Sequence, residues 1–519
     1  MLTLKQKISA IPEGAGALFF IQTFATLGFA VLYSTLVLYA TKQLHFSIKD
    51  ATAIMGVFGA FNYGLHLFGG YLGGRFMSNR NLFVGGMLLQ VIGCASIAGG
   101  TTTLLYWGLA FFLTGSGLNV TCLNLMLTQR FAPDDNRRES AFLWNYAGMN
   151  LGFFIGFSVA GYFQLQEDYP NLFIFATVGN FLAIVLAAAN WRVLADINTQ
   201  LLDVSPTQFR LRFVAGLAVL LGLVPLVYVM LQHAELSGNL VILIGVMITF
   251  ILVYLTITHK DQAERRNMWA YLILTVGSLV FWTLYQMAPM GLQLFAVNNV
   301  DRHVWGIEIA PQWIQNINSF VIMFGGPLMS VWFDRLRAKG WRIDIPQQFS
   351  VSLVLIGAGF LVLPIGISAA GANGLVAFQW IAISYVLHSV AELLISPIGY
   401  AMIGKLAPRQ YQGVMMGTWM LVTGVASVLA SYFSGLIPEA TEGLASSTNP
   451  GYNSIFSQLG WASVAVGVLM ITLIPLLRQL IDNKARLTIN EHDLASGCAE
   501  NTVDKAANTT INKAINTAI

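Results

Sequence analysis

A histidine and a glutamate stand four residues apart, at His388 and Glu392, in Tyr385–Met402, YVLHSVAELLISPIGYAM, an apolar run long enough to cross a bilayer. In a helix that spacing puts both side chains on one face and within reach of each other. A carboxylate at such depth is costly and marks a functional site by default. An imidazole beside it can share a proton, and the two then titrate as a pair. The chemistry on offer is proton transfer and the binding of a cation. The plainer reading of His388 is a structural one, a ring hydrogen-bonded to a nearby backbone or hydroxyl group.

The elements that must position this pair are membrane helices. Of the 519 residues, 56% are hydrophobic and 10% charged, with a mean hydropathy of +0.66. A soluble domain carries about 25% charged residues. The apolar runs are continuous, where barrel strands would alternate over roughly 10 residues. Fourteen runs reach spanning length: 14–41, 49–73, 82–100, 104–129, 140–163, 171–191, 212–232, 238–258, 268–296, 314–334, 349–369, 375–404, 412–437 and 457–478. With both termini on the cytoplasmic side, all of the 27 Lys and Arg residues except Lys42, Lys49 and Arg302 fall inside. That asymmetry is what the positive-inside rule demands, and one missed helix would spoil it.

The spacing of polar stretches divides the chain as 6+2+6. Residues 1–191 form one six-helix bundle, 192–267 a two-helix insertion with cytoplasmic linkers, and 268–480 a second six-helix bundle. Residues 481–519 form a polar tail expected to be disordered. Two bundles in parallel repeat place a substrate site at the midplane between them. The cysteines Cys94, Cys122 and Cys498 give no disulfide or metal pattern. No phosphate-binding GxxxxGK[ST] stretch is present. No nucleophile–base set appears in the spans, so an enzyme is not expected. Neither a metal, an organic cofactor nor nucleic acid is called for. Membrane lipid is the surrounding partner, and a monomer suffices.

Several stretches then resemble one family. Leu18–Leu44, LFFIQTFATLGFAVLYSTLVLYATKQL, and Tyr63–Arg75, YGLHLFGGYLGGR, look like the first and second helices of the proton-dependent oligopeptide transporters of the major facilitator superfamily. Tyr146–Gly152, YAGMNLG, resembles the family's fifth-helix signature, and Phe281–Ala296, FWTLYQMAPMGLQLFA, the opening of its second bundle. Ala391–Trp419, AELLISPIGYAMIGKLAPRQYQGVMMGTW, is the nearest match. The resemblance implies that Glu392 receives a peptide's amino terminus and takes part in proton coupling, and that Asn150 holds the same end. It implies that Gln286 contacts the peptide backbone, that Trp282 and Trp419 border the cavity, and that Tyr63 faces it.

The departures are as informative. The family's first helix reads Glu-x-x-Glu-Arg-Phe; here the positions are Gln22, Ala25, Thr26 and Leu27, so both acids and the arginine are gone. The family's fourth-helix lysine falls at Val120, and the loop acid after the second helix at Gly74. A lone charge left behind would be buried without a partner, which gives the joint loss a physical logic. The expected function is a secondary transporter. It imports di- or tripeptides, or peptide-like amino compounds, by proton symport and alternating access, with Glu392 and His388 as the proton-coupling residues. Two alternatives stay open: an uncoupled or differently coupled carrier of another amine-bearing solute, and a membrane-bound peptide sensor. The expected location is a bacterial cytoplasmic membrane.

Overall fold

The computed structural model describes the backbone of residues 14–131, 135, 137–197, 199–371, 373–437 and 445–515. Within these it describes all side chains except those at 67, 139, 140, 400, 401, 409 and 482–515. Residues 1–13 and nearly all side chains of the tail at 481–519, the segment expected to be disordered, lie outside this description.

The molecule is built from helices. Helices α1 (Ala15–Leu38), α2 (Ile48–Leu72), α3 (Asn79–Ile97), α4 (Thr102–Thr128), α5 (Arg137–Leu165) and α6 (Tyr169–Ala189) come first. Helices α7 (Pro206–Gln232) and α8 (Ala234–Thr258) follow. Then come α9 (Gln262–Tyr285), the short α10 (Gly291–Asn298), α11 (Pro311–Ala338), α12 (Ile345–Ser368), α13 (Phe378–Leu406), α14 (Gln412–Gly435) and α15 (Ala445–Ile515). Their starts are set by local chemistry. The side chains of Ser47, Ser78, Thr101, Asp168, Ser205, Asp261 and Asp344 each accept a hydrogen bond from the backbone N–H three residues on. Each cap satisfies a donor that the first turn would otherwise leave unpaired.

Twelve of these helices are both long and apolar enough to cross a membrane. The other two of spanning length, α5 with 29 residues and α11 with 28, are not in that set. Their inward faces carry several amides each, Asn145 and Asn150 on α5 and Gln312, Gln315 and Asn316 on α11. Fourteen helices of spanning length therefore stand among the described residues, twelve of them apolar enough to cross a membrane.

Helices α1–α6 pack on one another, chiefly α1 on α5 and α6, and α3 on α4. Helices α9–α15 form a second group, with α12 against α13 and α15, and α9 against α14. The groups meet along two seams, α2 against α14 and α5 against α11. Both seams are tight in the helix halves far from the termini. Backbone approach there depends on glycine: Ser431 and Ser427 fill the space that side chains at Gly56 and Gly59 would need, and the Trp313 indole fills that of Gly161.

Helices α7 and α8 lie outside this frame. Trp107 of α4 stacks on Tyr228 of α7 at 4.1 Å. Gly238 and Gly245 of α8 admit Val428 and Val425 of α14, while α8 also touches α2. The inserted pair thus covers the α2–α14 seam from outside. The linker before it is pinned as well. The Asp196 carboxylate accepts the Asn79 N–H at 2.9 Å, Leu201 N–H donates to the Gly74 carbonyl, and the Gln129 side chain accepts from Ile197 N–H. An acid from the linker therefore supports the start of α3, beside the loop position where Gly74 replaces one.

Candidate functional site

Four helices each send one helical stripe to a common cavity of about 110 Å³. On α13 the stripe is Tyr385, His388 and Glu392; on α5 it is Tyr146, Asn150, Phe153 and Phe157. Helix α1 contributes Phe29 and Tyr33, and α11 contributes Gln315, Asn318, Ser319 and Ile322. Spacings of three, four and seven keep such residues on one face. Tyr63, Met149, Tyr285 and Ala288 complete the lining.

A break in the chain helps shape the wall. Helix α9 stops at Tyr285 and α10 begins at Gly291, with Pro289 between them. Proline has no N–H and cannot continue the ladder. The Gly291 N–H freed by the break donates instead to Ser434 Oγ at 3.0 Å. Interrupted membrane helices of this kind line binding cavities, where loose backbone is tolerated.

Glu392 is 8% exposed. Its Oε2 accepts from Asn318 Nδ2 at 2.7 Å, and the same amide donates to Ser389 Oγ at 3.2 Å. Tyr285 is a second hydrogen-bond partner of the carboxyl group. A carboxylate offers about four acceptor positions, so two donors leave room for a ligand's ammonium or for a proton. Of the residues lining the cavity, Glu392 is the one carboxylate, and none is a lysine or arginine.

The opposite wall is neutral. Gln22 Nε2 donates to Thr26 Oγ1 at 2.9 Å, and Asn145 Nδ2 to Gln22 Oε1 at 3.4 Å. These amides and the hydroxyl occupy the region where the resemblance places two acids and an arginine. Val120 is 36% exposed.

The expected site residues divide by position. Glu392, His388, Asn150 and Tyr63 all line the cavity. Asn150 turns its amide back on its own helix, donating to the Tyr146 carbonyl at 2.9 Å. Gln286, Trp282 and Trp419 sit behind the wall rather than in it. Gln286 Oε1 accepts from Tyr33 Oη at 3.0 Å, which ties α9 to α1. Trp282 packs edge-on against Tyr285 at 5.5 Å and against Trp419 at 6.5 Å. Trp419 is 2% exposed and fills the notch at Gly399. Both rings therefore back the cavity wall, Trp282 against Tyr285 and Trp419 against Trp282.

His388 shares the cavity wall with Glu392, but the hydrogen-bond partners of the carboxyl group are Asn318 and Tyr285. The His388 ring stacks on Phe360 of α12 at 5.0 Å, and its Nε2 is buried, without a hydrogen-bond partner, beside Gly359. A glycine at 359 leaves room for the imidazole to lean toward α12. Sequence reasoning missed Asn318 and Gln315. The usable signal was the polar stripe Gln312, Gln315, Asn316 and Ser319 in an otherwise spanning segment.

The far ends of the α5–α11 seam and of the α1–α10 contact are closed by further bonds. Gln312 Nε2 donates to Gln164 Oε1 at 3.1 Å, Trp313 Nε1 to the Ser158 carbonyl at 2.9 Å, and Asn316 Nδ2 to Ser158 Oγ at 3.0 Å. Gln293 Nε2 donates to the Ser34 carbonyl. A cavity between two bundles, sealed at one end by separable contacts, is the geometry of a carrier.

Comparison with known proteins agrees. A profile described as PTR2, POT family, matches residues 77–450. The dipeptide and tripeptide permease A of Chromobacterium violaceum is 30% identical over 501 residues, covering 93% of this chain and 97% of that one. Its namesake in Salmonella typhimurium is 29% identical, covering 90% and 93%. Among solved structures, a peptide transporter POT in complex with alafosfalin superposes with a TM-score of 0.80 at 25% identity, covering 91% of this chain and 96% of that one. A POT family transporter in complex with 5-aminolevulinic acid has a TM-score of 0.78 at 22% identity, covering 90% and 97%. The fold is that of the major facilitators, and the relatives are permeases, not enzymes. This chain is a multi-pass membrane protein of the POT family of peptide transporters.

Proposed function

We propose that the protein imports small peptides or peptide-like amino compounds across the bacterial cytoplasmic membrane by alternating access, driven by protons. The observation that carries this is Glu392, a carboxylate in the wall of an inter-bundle cavity with Asn318 and Tyr285 holding it. Its remaining acceptor positions suit a primary ammonium. The permease names of the relatives and the alafosfalin and 5-aminolevulinic acid complexes of the solved neighbours, all amine-bearing compounds, support the same class. The distribution of Lys and Arg supports both termini inside.

Glu392 binds the substrate's ammonium as it passes its proton to a neighbouring group, so that proton and substrate move inward together. His388, one turn away on the same wall, is the second titratable group and relays the proton after its ring rotates toward the cavity. The driving force is ample, since one charge crossing 100 mV gains about 2.3 kcal/mol. Membrane lipid surrounds the chain, and one copy contains the whole cavity. No cofactor other than the proton enters this scheme.

An uncoupled carrier is the second reading, and the His388 geometry is what favours it. With that ring stacked on Phe360, Glu392 stands alone as a proton site. Uptake of a labelled dipeptide-like amine into proteoliposomes, with and without an imposed pH gradient, separates the two. Accumulation above the external concentration only with the gradient supports coupling. Equilibration regardless of the gradient supports the facilitator. Saturable binding with no flux would leave a sensor.

A further inference from the structure

We infer that the substrate of this cavity is an organic monocation: a primary amine with an apolar body and no free carboxylate. The inference rests on the transport reading of the cavity and narrows it. Three observations carry it, and each concerns the lining itself.

The first is charge. Glu392 is the one carboxylate of the lining, and no lysine or arginine accompanies it. An ammonium docked on ionised Glu392 makes the occupied cavity neutral. A zwitterion docked the same way adds a second carboxylate with no cation to meet it, and an unpaired buried charge is strongly disfavoured.

The second is how the neutral donors are spent. Asn150 donates to the Tyr146 carbonyl and Asn318 to Glu392. Tyr33 donates to Gln286, and Tyr385 toward the Ala288 carbonyl. These groups already have partners; of the lining amides Gln315 alone keeps a buried N–H without one, a single neutral donor where an incoming carboxylate needs several.

The third is the nature of the remaining surface. Eight aromatic rings line the cavity, Phe29, Phe153 and Phe157 among them. Aromatic faces attract cations and apolar groups rather than anions, and the five tyrosines among the rings add neutral hydroxyls but no positive charge. The ligand's amine therefore points at α13 and its uncharged body lies against α1 and α5. Peptide amides, peptide esters and simple arylalkylamines have this chemistry.

The test compares three probes that share one body: Ala-Phe, Ala-Phe amide and N-acetyl-Ala-Phe amide. Binding to the full-length protein in nanodiscs is measured by calorimetry, and flux in proteoliposomes. Ala-Phe amide is expected to bind at least about tenfold more tightly than either other probe, the low end of what an uncompensated charge costs. Glu392→Gln, checked for folding by its melting temperature, should erase the difference between the amide and its acetylated form. Equal or tighter binding of Ala-Phe overturns the inference. If Ala-Phe is also accumulated, the transport reading stands and only the charge assignment falls. If the amide binds best but nothing crosses the membrane, the charge assignment stands and the transport reading falls.

Discussion

The two walls of the cavity come from helix groups of similar design yet differ in chemistry. The wall from α11 and α13 carries a carboxylate, an imidazole and amides arranged around them. The wall from α1, α2 and α5 carries rings, one amide, one thioether and no charged side chain. Its nearest polar cluster, Gln22, Thr26 and Asn145, is joined by internal hydrogen bonds that leave only Asn145 Oδ1 of these three side chains buried without a partner. A site with opposite charges on opposite walls reads both ends of a zwitterion. A site with charge on one wall reads one end and only shapes the other. The difference teaches where coupling can reside: whatever this protein does with protons must pass through α13.

Glu392→Gln breaks the comparison most severely. Gradient-driven uptake should fall to background, at least about 100-fold, while binding of an uncharged analogue persists. Coupled uptake surviving in that variant would end the argument for α13. Asn318→Val removes a donor from the carboxylate. A hydrogen bond to a charged group is worth about 1.5–3 kcal/mol, so affinity for an amine should drop roughly tenfold or more. An unchanged titration of binding with pH would show that Asn318 does not touch the titrating group.

Val120→Lys sharpens the comparison by adding a cation on the neutral side. Relative preference for Ala-Phe over its amide should rise by about fivefold, near 1 kcal/mol on the scale of a partly solvated ion pair. No change would mean that position 120 does not feel the cavity. Gly161→Ala acts on the seam instead. The added methyl displaces the Trp313 indole, and ~1 kcal/mol of lost hydrogen bonding should shift the open–closed balance several-fold. Spin-label distances between α5 and α11 would register it.

The smallest effect concerns the linker. Burial holds the Asp196 carboxyl above the ordinary carboxylate range, against the pull of Asn79, Arg80 and Arg130. A raised value means that docking is favoured most in the protonated form. Its contribution is complete below the ordinary carboxylate pKa of about 3.9 and declines as pH rises through the raised one. Proteolysis of the linker should become faster over that rise, and Asp196→Asn should flatten the profile.

Much of this was legible in the sequence. The spans, the paired bundles and the depth of Glu392 follow from composition and charge, because a bilayer leaves few alternatives. The order of short motifs pointed to the family. The wall opposite Glu392 was legible through what it lacks. Asn318 was hidden because it lies 74 residues before Glu392 and only packing brings the two together. Trp282 and Trp419 were placed one layer too far in, since a motif fixes which face a residue occupies better than how deep it lies. The leaning of His388 depended on Gly359, a residue on another helix that no i, i+4 argument can see.

The bonds that seal the outer ends of the α5–α11 and α1–α10 contacts join amides, an indole, a hydroxyl and carbonyls. Ion pairs at a gate weaken as ions accumulate, because the Debye length shrinks from about 10 Å at 0.1 M to about 3 Å at 1 M. Neutral bonds carry no such dependence. This closure should therefore be as firm in brine as in dilute medium, so salt acts on the carrier only through charges elsewhere, at Glu392 and around Lys42.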